Sequence, residues 1–285
     1  MLRLLRPRQW TKNLLLFAAL VFAHRLFDAH AFAIACLAFA AFCLASSSVY
    51  VINDLIDVER DRNHPTKRSR PIASGQVSRA AAAALAAGLT GGSLALAWWI
   101  GASFFAALVV YLSLSHFYSL AGKQVVILDI VLIAAGFVLR AVAGALAIEV
   151  PYSDWFVLCT LFVALLLAAS KRRAELRSMG DGSGSRPVLA LYTDASLTAF
   201  TITSMAGAVI SYSLYVQDVV EATSGPLRRL IFTVPFVILA IFRYYLLVDR
   251  DEAGERPEEV LLTDRPLQIC IAGFGIVAVL AFYGS

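Results

Sequence analysis

Residues 31–61 read AFAIACLAFAAFCLASSSVYVINDLIDVERD, an apolar block that runs straight into a ladder of acids. The first two-thirds are long and apolar enough for a membrane-spanning helix, which needs roughly 20 such residues. The last third places Asn53, Asp57 and Asp61 four residues apart, with Asp54 and Glu59 between them. If the helix continues through this stretch, the four-residue repeat puts the three side chains on one face, about 6 Å apart. The fold class follows from the first part and the chemistry from the second.

Similar apolar blocks repeat along the chain, which is 60% hydrophobic and 15% charged over 285 residues. Soluble domains carry about a quarter charged residues. The sequence therefore predicts an all-α, polytopic membrane protein with about nine transmembrane helices, organised as one domain over residues 1–285. The spans fall at about Asn13–Phe27, Ala31–Ile52, Ala80–Ile100, Phe104–Tyr118, Val125–Ala147, Trp155–Ser170, Leu197–Val216, Leu230–Val248 and Pro266–Tyr283. Asp264 and Pro266 supply a start signal for the last of them. The basic head before the first block reads as a cytoplasmic anchor rather than a cleaved leader. The four cysteines lie inside apolar blocks with no C-x-x-C spacing and read as small buried hydrophobes. Gly180–Ser185 reads as a flexible linker, since it lacks the lysine of a phosphate loop.

Orientation follows from Lys and Arg. With nine spans, 19 of the 24 basic residues fall in the N-terminus and one set of loops, against three in the other set. The N-terminus and the polar segments are expected in the cytoplasm, facing a polar cavity, and the C-terminus outside. Such a protein belongs in the cell (inner) membrane, with the lipid bilayer as a partner and no nucleic acid.

Asn53, Asp57 and Asp61 offer hard oxygens, which suit Mg2+. That ion typically bridges one or two carboxylates to substrate phosphates. A basic run follows at His64–Arg70, with Lys67, Arg68 and Arg70 as donors for phosphate oxygens. Acids and bases together describe a metal-neutralised diphosphate held by cations. Tyr118, Lys123 and Asp129 form a second polar group, and Arg140 lies about three turns further into a span. An ionisable residue at that depth is paired or functional, and Asp129 or a substrate phosphate would pair it. Lys171, Arg172, Arg173 and Glu175 end the sixth span, and Lys12 stands at the mouth of the first. A solute transporter would instead line a path through the bilayer, whereas here most ionisable groups gather on one side.

The stretch Asn53-Asp54-x-x-Asp57-x-x-x-Asp61 resembles the N-D-x-x-D-x-x-x-D motif of the UbiA superfamily of intramembrane transferases. Within that superfamily, the segments around Arg6–Asn13, His64–Ala73, Tyr118–Asp129, Arg140–Gly144, Lys171–Leu176, Tyr192–Thr193 and Arg243–Arg265 are similar to the branch that handles a phosphoribosyl donor. The aromatic-acceptor prenyltransferases carry a second Asp-rich motif where this chain has Lys123 and Asp129. The resemblance implies Mg2+-dependent transfer of 5-phosphoribose from phosphoribosyl pyrophosphate to a polyprenyl phosphate, on the way to lipid-linked arabinose donors for the cell wall. It implies Asn53, Asp54, Asp57, Asp61 and Asp129 as catalytic residues, with Asn53, Asp57 and Asp61 on the metal. It also implies Lys12, Tyr50, Lys67, Arg68, Arg70, Tyr118, Lys123 and Arg140 on the donor, and Lys171 with Arg172 on the lipid phosphate. The alternatives are prenyl transfer to an aromatic acceptor and transport of a phosphorylated solute. A homo-oligomer is compatible with this reading.

Overall fold

The structure, a computed structural model, describes residues 2–64, 67–177, 187–222, 226–250 and 263–283. Gly180–Ser185 lies outside the described residues. The described residues are helical, without a strand. Eight helices are long and apolar enough to cross a membrane, so the chain is a multi-pass membrane protein. With no water in a bilayer core, helices satisfy their backbone groups internally, which is what this sequence achieves.

The first predicted span differs. In place of a regular helix over Asn13–Phe27, a short helix α1 (Leu2–Leu5) leads into a 3-10 helix over Pro7–Phe17 and a short α2 (Ala18–Phe22). The reason is the packing period. Trp10 is half-buried and Asn13 and Leu16 are buried, while Arg8, Thr11 and Leu14 are exposed. A three-residue repeat suits a helix of three residues per turn. Its larger rise lets Pro7–Phe22 extend about 30 Å, near the thickness of a bilayer core.

The long helices are α3 (Ala29–Ile56), α5 (Arg79–Ile100), α6 (Ala102–Leu120), α7 (Leu128–Ala147), α8 (Asp154–Arg177), α9 (Asp194–Ala222), α10 (Val234–Arg250) and α11 (Arg265–Tyr283), with a short α4 (Val58–Arg62) after α3. Asp28 caps α3 by accepting from the His30 and Ala31 amides. The Ala31 amide and Arg25 hold its carboxyl below the usual range. Ser78 caps α5 through the Ala81 amide. Gly101, at φ 155°, is the single residue between α5 and α6. No side chain adopts that conformation readily. Asp264 caps α11, as its sequence predicts, by accepting from Leu267 N at 2.8 Å.

The chain folds as two compact units. The first comprises Met1–Gly122 with Leu139–Pro151; the second comprises Lys123–Val138 with Tyr152–Ser285. The core of the first gathers Phe42, Phe104, Leu108 and Tyr111 from α3 and α6 with Ala143 and Ala147 of α7. Ser48 of α3 donates to the Ala86 carbonyl and meets Thr90 across α5, a polar weld typical of packed membrane helices. The second unit centres on α8, α9 and α10, through Leu166, Met205, Ala208, Ile241 and Tyr244. Arg173 and Arg177 pair with Asp194 and Asp249, tying the polar ends of α8, α9 and α10 together.

Candidate active site

In the first unit the acidic ladder keeps its phase through a joint. The helix α3 ends at Ile56, and Asp57 takes φ −87° and ψ 6° before α4 begins. Backbone bonds from Asp57 N to Asn53 O, 2.9 Å, and from Asp61 N to Asp57 O, 2.8 Å, carry the four-residue step across it. The side chains then divide. Asp54 and Asp61 are buried, at 4% and 3% exposure, while Asn53 and Asp57 are half-buried. Arg70 donates to Asp61 at 2.7 Å and to Asp54 at 3.1 Å. Arg6 donates to the same oxygen of Asp54 at 2.5 Å, and its guanidinium lies 4.9 Å from the centre of the Tyr50 ring. Two cations thus neutralise two buried acids, as burial of charge requires.

In this arrangement two of the expected site residues meet each other. Asp61, anticipated on the metal, is engaged by Arg70, and Arg70, anticipated on the donor, spans two carboxylates. Among the described residues no group of three His, Cys, Asp or Glu is placed to hold a metal. One amide and one carboxylate oxygen on adjacent turns, Asn53 and Asp57, fit an Mg2+ that completes its shell with phosphate oxygens and water. Lys12, Tyr50, Lys67 and Tyr118, in the same unit, are half-buried, whereas Arg68 is exposed.

Arg140 lies deep in the first unit, 8% exposed. Its Nε donates to Asn13 Oδ1 at 2.8 Å and its Nη2 to the Tyr111 hydroxyl at 2.8 Å, with the guanidinium 4.7 Å from the Tyr111 ring centre. Asn13 Nδ2 in turn donates to Ser46 Oγ and Cys43 Sγ. A delocalised guanidinium tolerates such a setting better than an ammonium. Asp129, expected as its partner, is engaged elsewhere.

In the second unit Asp129 is fully buried and accepts from Arg172 Nε at 2.6 Å. Its other oxygen accepts from the Tyr192 hydroxyl at 2.7 Å. Arg172, anticipated at the lipid phosphate, is 1% exposed and also donates to Glu175 at 2.5 Å. The Tyr192 hydroxyl accepts the Ile127 amide at 2.5 Å. Burial and the bond to Asp129 push that hydroxyl above its usual range, so it donates at any physiological pH. Ile127 stands at φ 68°, a left-handed conformation that costs a β-branched residue about 1–3 kcal/mol. Lys123 and Lys171 of this unit are half-buried.

Residues 14–261 match the model of the UbiA prenyltransferase family. The chain belongs to that family. It is 38% identical over 296 residues to the decaprenyl-phosphate phosphoribosyltransferase of Mycolicibacterium smegmatis, covering 99% of this chain and 92% of that protein. It is 36% identical over 290 residues to the protein of that name from Corynebacterium glutamicum, covering 99% and 86%. Its fold is similar to that of a UbiA homolog from Archaeoglobus fulgidus solved with GPP and Mg2+, at a TM-score of 0.70 and 21% identity, covering 99% and 96% of the two chains.

For this UbiA member, sequence reasoning missed Arg6, Tyr111 and Tyr192 as parts of the polar networks. Arg6 looked like a membrane anchor in a basic tail. The signal for Tyr111 was its polar tip in an apolar span, which predicts a hydrogen-bond partner. Tyr192 carried only a likeness of sequence, since its partners lie 63 and 65 residues away.

Proposed function

We propose that the chain is a polyprenyl-phosphate phosphoribosyltransferase, acting as one transferase domain in the cell membrane. It moves 5-phosphoribose from phosphoribosyl pyrophosphate to decaprenyl phosphate or a close analogue. What carries this reading is the likeness, at 36 and 38% identity over 99% of the chain, to two proteins named for that reaction. The site supports it through a pair of oxygen ligands, Asn53 and Asp57, in a unit rich in cations.

In this reading a lipid-phosphate oxygen bonds to the anomeric carbon as the bond from that carbon to the diphosphate breaks. The nucleophile is already ionised, so no carboxylate need take a proton. Asn53 and Asp57 would hold Mg2+, which when bound would neutralise the leaving diphosphate. Arg6 and Arg70 fix Asp54 and Asp61 at the same helix end. Lys12, Tyr50, Lys67, Arg68, Tyr118, Lys123 and Arg140 bind and orient the donor. Lys171 holds the lipid phosphate, and its neighbour Arg172 is fixed on Asp129 and Glu175. The site faces the cytoplasm, and the product enters the supply of lipid-linked arabinose donors for cell-wall arabinan.

The test is a choice of donor. Purified protein in detergent with Mg2+ receives labelled phosphoribosyl pyrophosphate and decaprenyl phosphate, or a labelled polyprenyl diphosphate and an aromatic acceptor. Label from the ribose donor should enter the lipid fraction. Transfer only from the prenyl diphosphate would overturn the assignment in favour of aromatic prenylation. No transfer from either donor would point to a transporter of a phosphorylated solute.

A further inference from the structure

Ile127 is 52% exposed, so packing of its side chain does not explain its left-handed backbone. What meets that backbone is the Tyr192 hydroxyl, which accepts the Ile127 amide and donates to Asp129 two residues later. The Tyr192 ring itself is buried against Ile130, Ala168, Val188 and Leu197. The anchor therefore sits on rigid packing, and the strain sits on the loop. The short 3-10 turn Gly122–Gln124, which carries Lys123, lies immediately before this point. The α7 bonds begin around this point, with Asp129 N donating to Val125 O and with Ile130 N and Val131 N both donating to Ile127 O.

We infer that Tyr192 is a positioning residue whose hydroxyl locks Ile127 in its left-handed conformation, and so sets Lys123 for the ribose donor. The inference rests on the donor role given to Lys123 above. Releasing strain of this size would let the loop relax and weaken donor binding by about 5- to 150-fold.

Tyr192→Phe removes the hydroxyl and keeps the buried ring. Ile127→Gly removes the need for a lock, since glycine adopts this conformation without steric cost. Two readouts on the full chain in detergent separate the lock from the donor reading. Hydrogen exchange over residues 121–131, without substrate, should quicken at several amides in Tyr192→Phe and slow again in the double variant. Binding of labelled phosphoribosyl pyrophosphate with Mg2+ should weaken about 5- to 150-fold in Tyr192→Phe and largely recover in the double variant. The KM for decaprenyl phosphate should stay within about twofold throughout. Unchanged exchange in Tyr192→Phe would overturn the lock. So would a loss that Ile127→Gly does not relieve, or an equal loss for both substrates, because either marks a merely structural tyrosine. If the native chain binds no ribose donor, the donor reading fails on its own, and the exchange data still judge the lock.

Discussion

Arg70 serves two buried carboxylates at once, through Asp54 and Asp61. Arg70→Ala would strand Asp61 and leave Asp54 to Arg6 alone, and breaking a buried pair in this way costs about 3–5 kcal/mol. Thermal unfolding in detergent should show a large drop in Tm, with Arg70→Lys intermediate. An unaltered Tm would mean that solvent reaches both acids. Asp57, half-buried on the neighbouring turn from Asn53, should behave differently. Asp57→Asn should keep its Tm and lose Mg2+-dependent turnover. Near-normal turnover at ordinary magnesium would remove Asp57 from the metal site. The adjacent pair at the end of α8 separates in the same way. Lys171→Ala should raise the apparent KM for polyprenyl phosphate about 10- to 150-fold, the loss of one charge-assisted contact. Arg172→Ala should instead unfold the region around Asp129 and lower the Tm. The sequence displayed all of these charged residues, because spacing along one helix is visible in a string of letters. It did not display which acid meets which base. Arg6 and Asp54 are 48 residues apart, and Arg172 and Asp129 are 43 apart.

Eight of the nine predicted spans are long apolar helices because their apolar blocks outlast any competing signal. The first, Asn13–Phe27, differs because its decisive residues are polar. Trp10 donates to Ser47 Oγ and Asn13 to Ser46 Oγ, so the buried face of this element is defined by hydrogen bonds that a hydropathy reading scores as breaks. Close approach does the rest. A Cβ added at Gly144 of α7 would lie 2.1 Å from the Leu16 carbonyl oxygen, whereas one at Gly275 of α11 would meet nothing within 4 Å. Gly144→Ala should therefore displace the 3-10 segment and lower both Tm and activity, while Gly275→Ala should match the native protein. Equal behaviour of the two would show that the segment is not seated on α7. At the start of α11, Asp264 accepts from Arg243 and from the Leu267 amide, and Arg243 holds its carboxyl below the usual range. A depressed carboxyl contributes stability above its unfolded value and loses it as pH falls through the folded one. Asp264→Ala should thus lower the Tm at neutral pH, and the gap from the native chain should close only below about pH 4.

Over the whole molecule, charge asymmetry fixes the expected orientation. The N-terminus and the segments near residues 53–79, 118–124, 171–196 and 249–265 carry 19 of the 24 basic residues. A cysteine introduced at Arg68 should resist impermeant thiol reagents in intact cells, and alkaline phosphatase fused after Ser285 should be active. Labelling at position 68 from outside would invert the topology. The same long-range order governs how the chain is made. Asn13 and Arg140, bonded in the finished protein, are 127 residues apart. At roughly 5–20 residues per second, the ribosome releases the first about 6–25 s before the second. During that interval the N-terminal segment has Ser46 and Ser47 but neither Arg140 nor the Gly144 seat. A cysteine replacing Asn13 should be labelled in stalled nascent chains that end before Leu120, and shielded once the chain has grown far enough past Pro151 for α7 to leave the ribosome. The N-terminal segment thus waits for a helix made more than a hundred residues later before its polar face is fully bonded, and until then it is held by α3 alone.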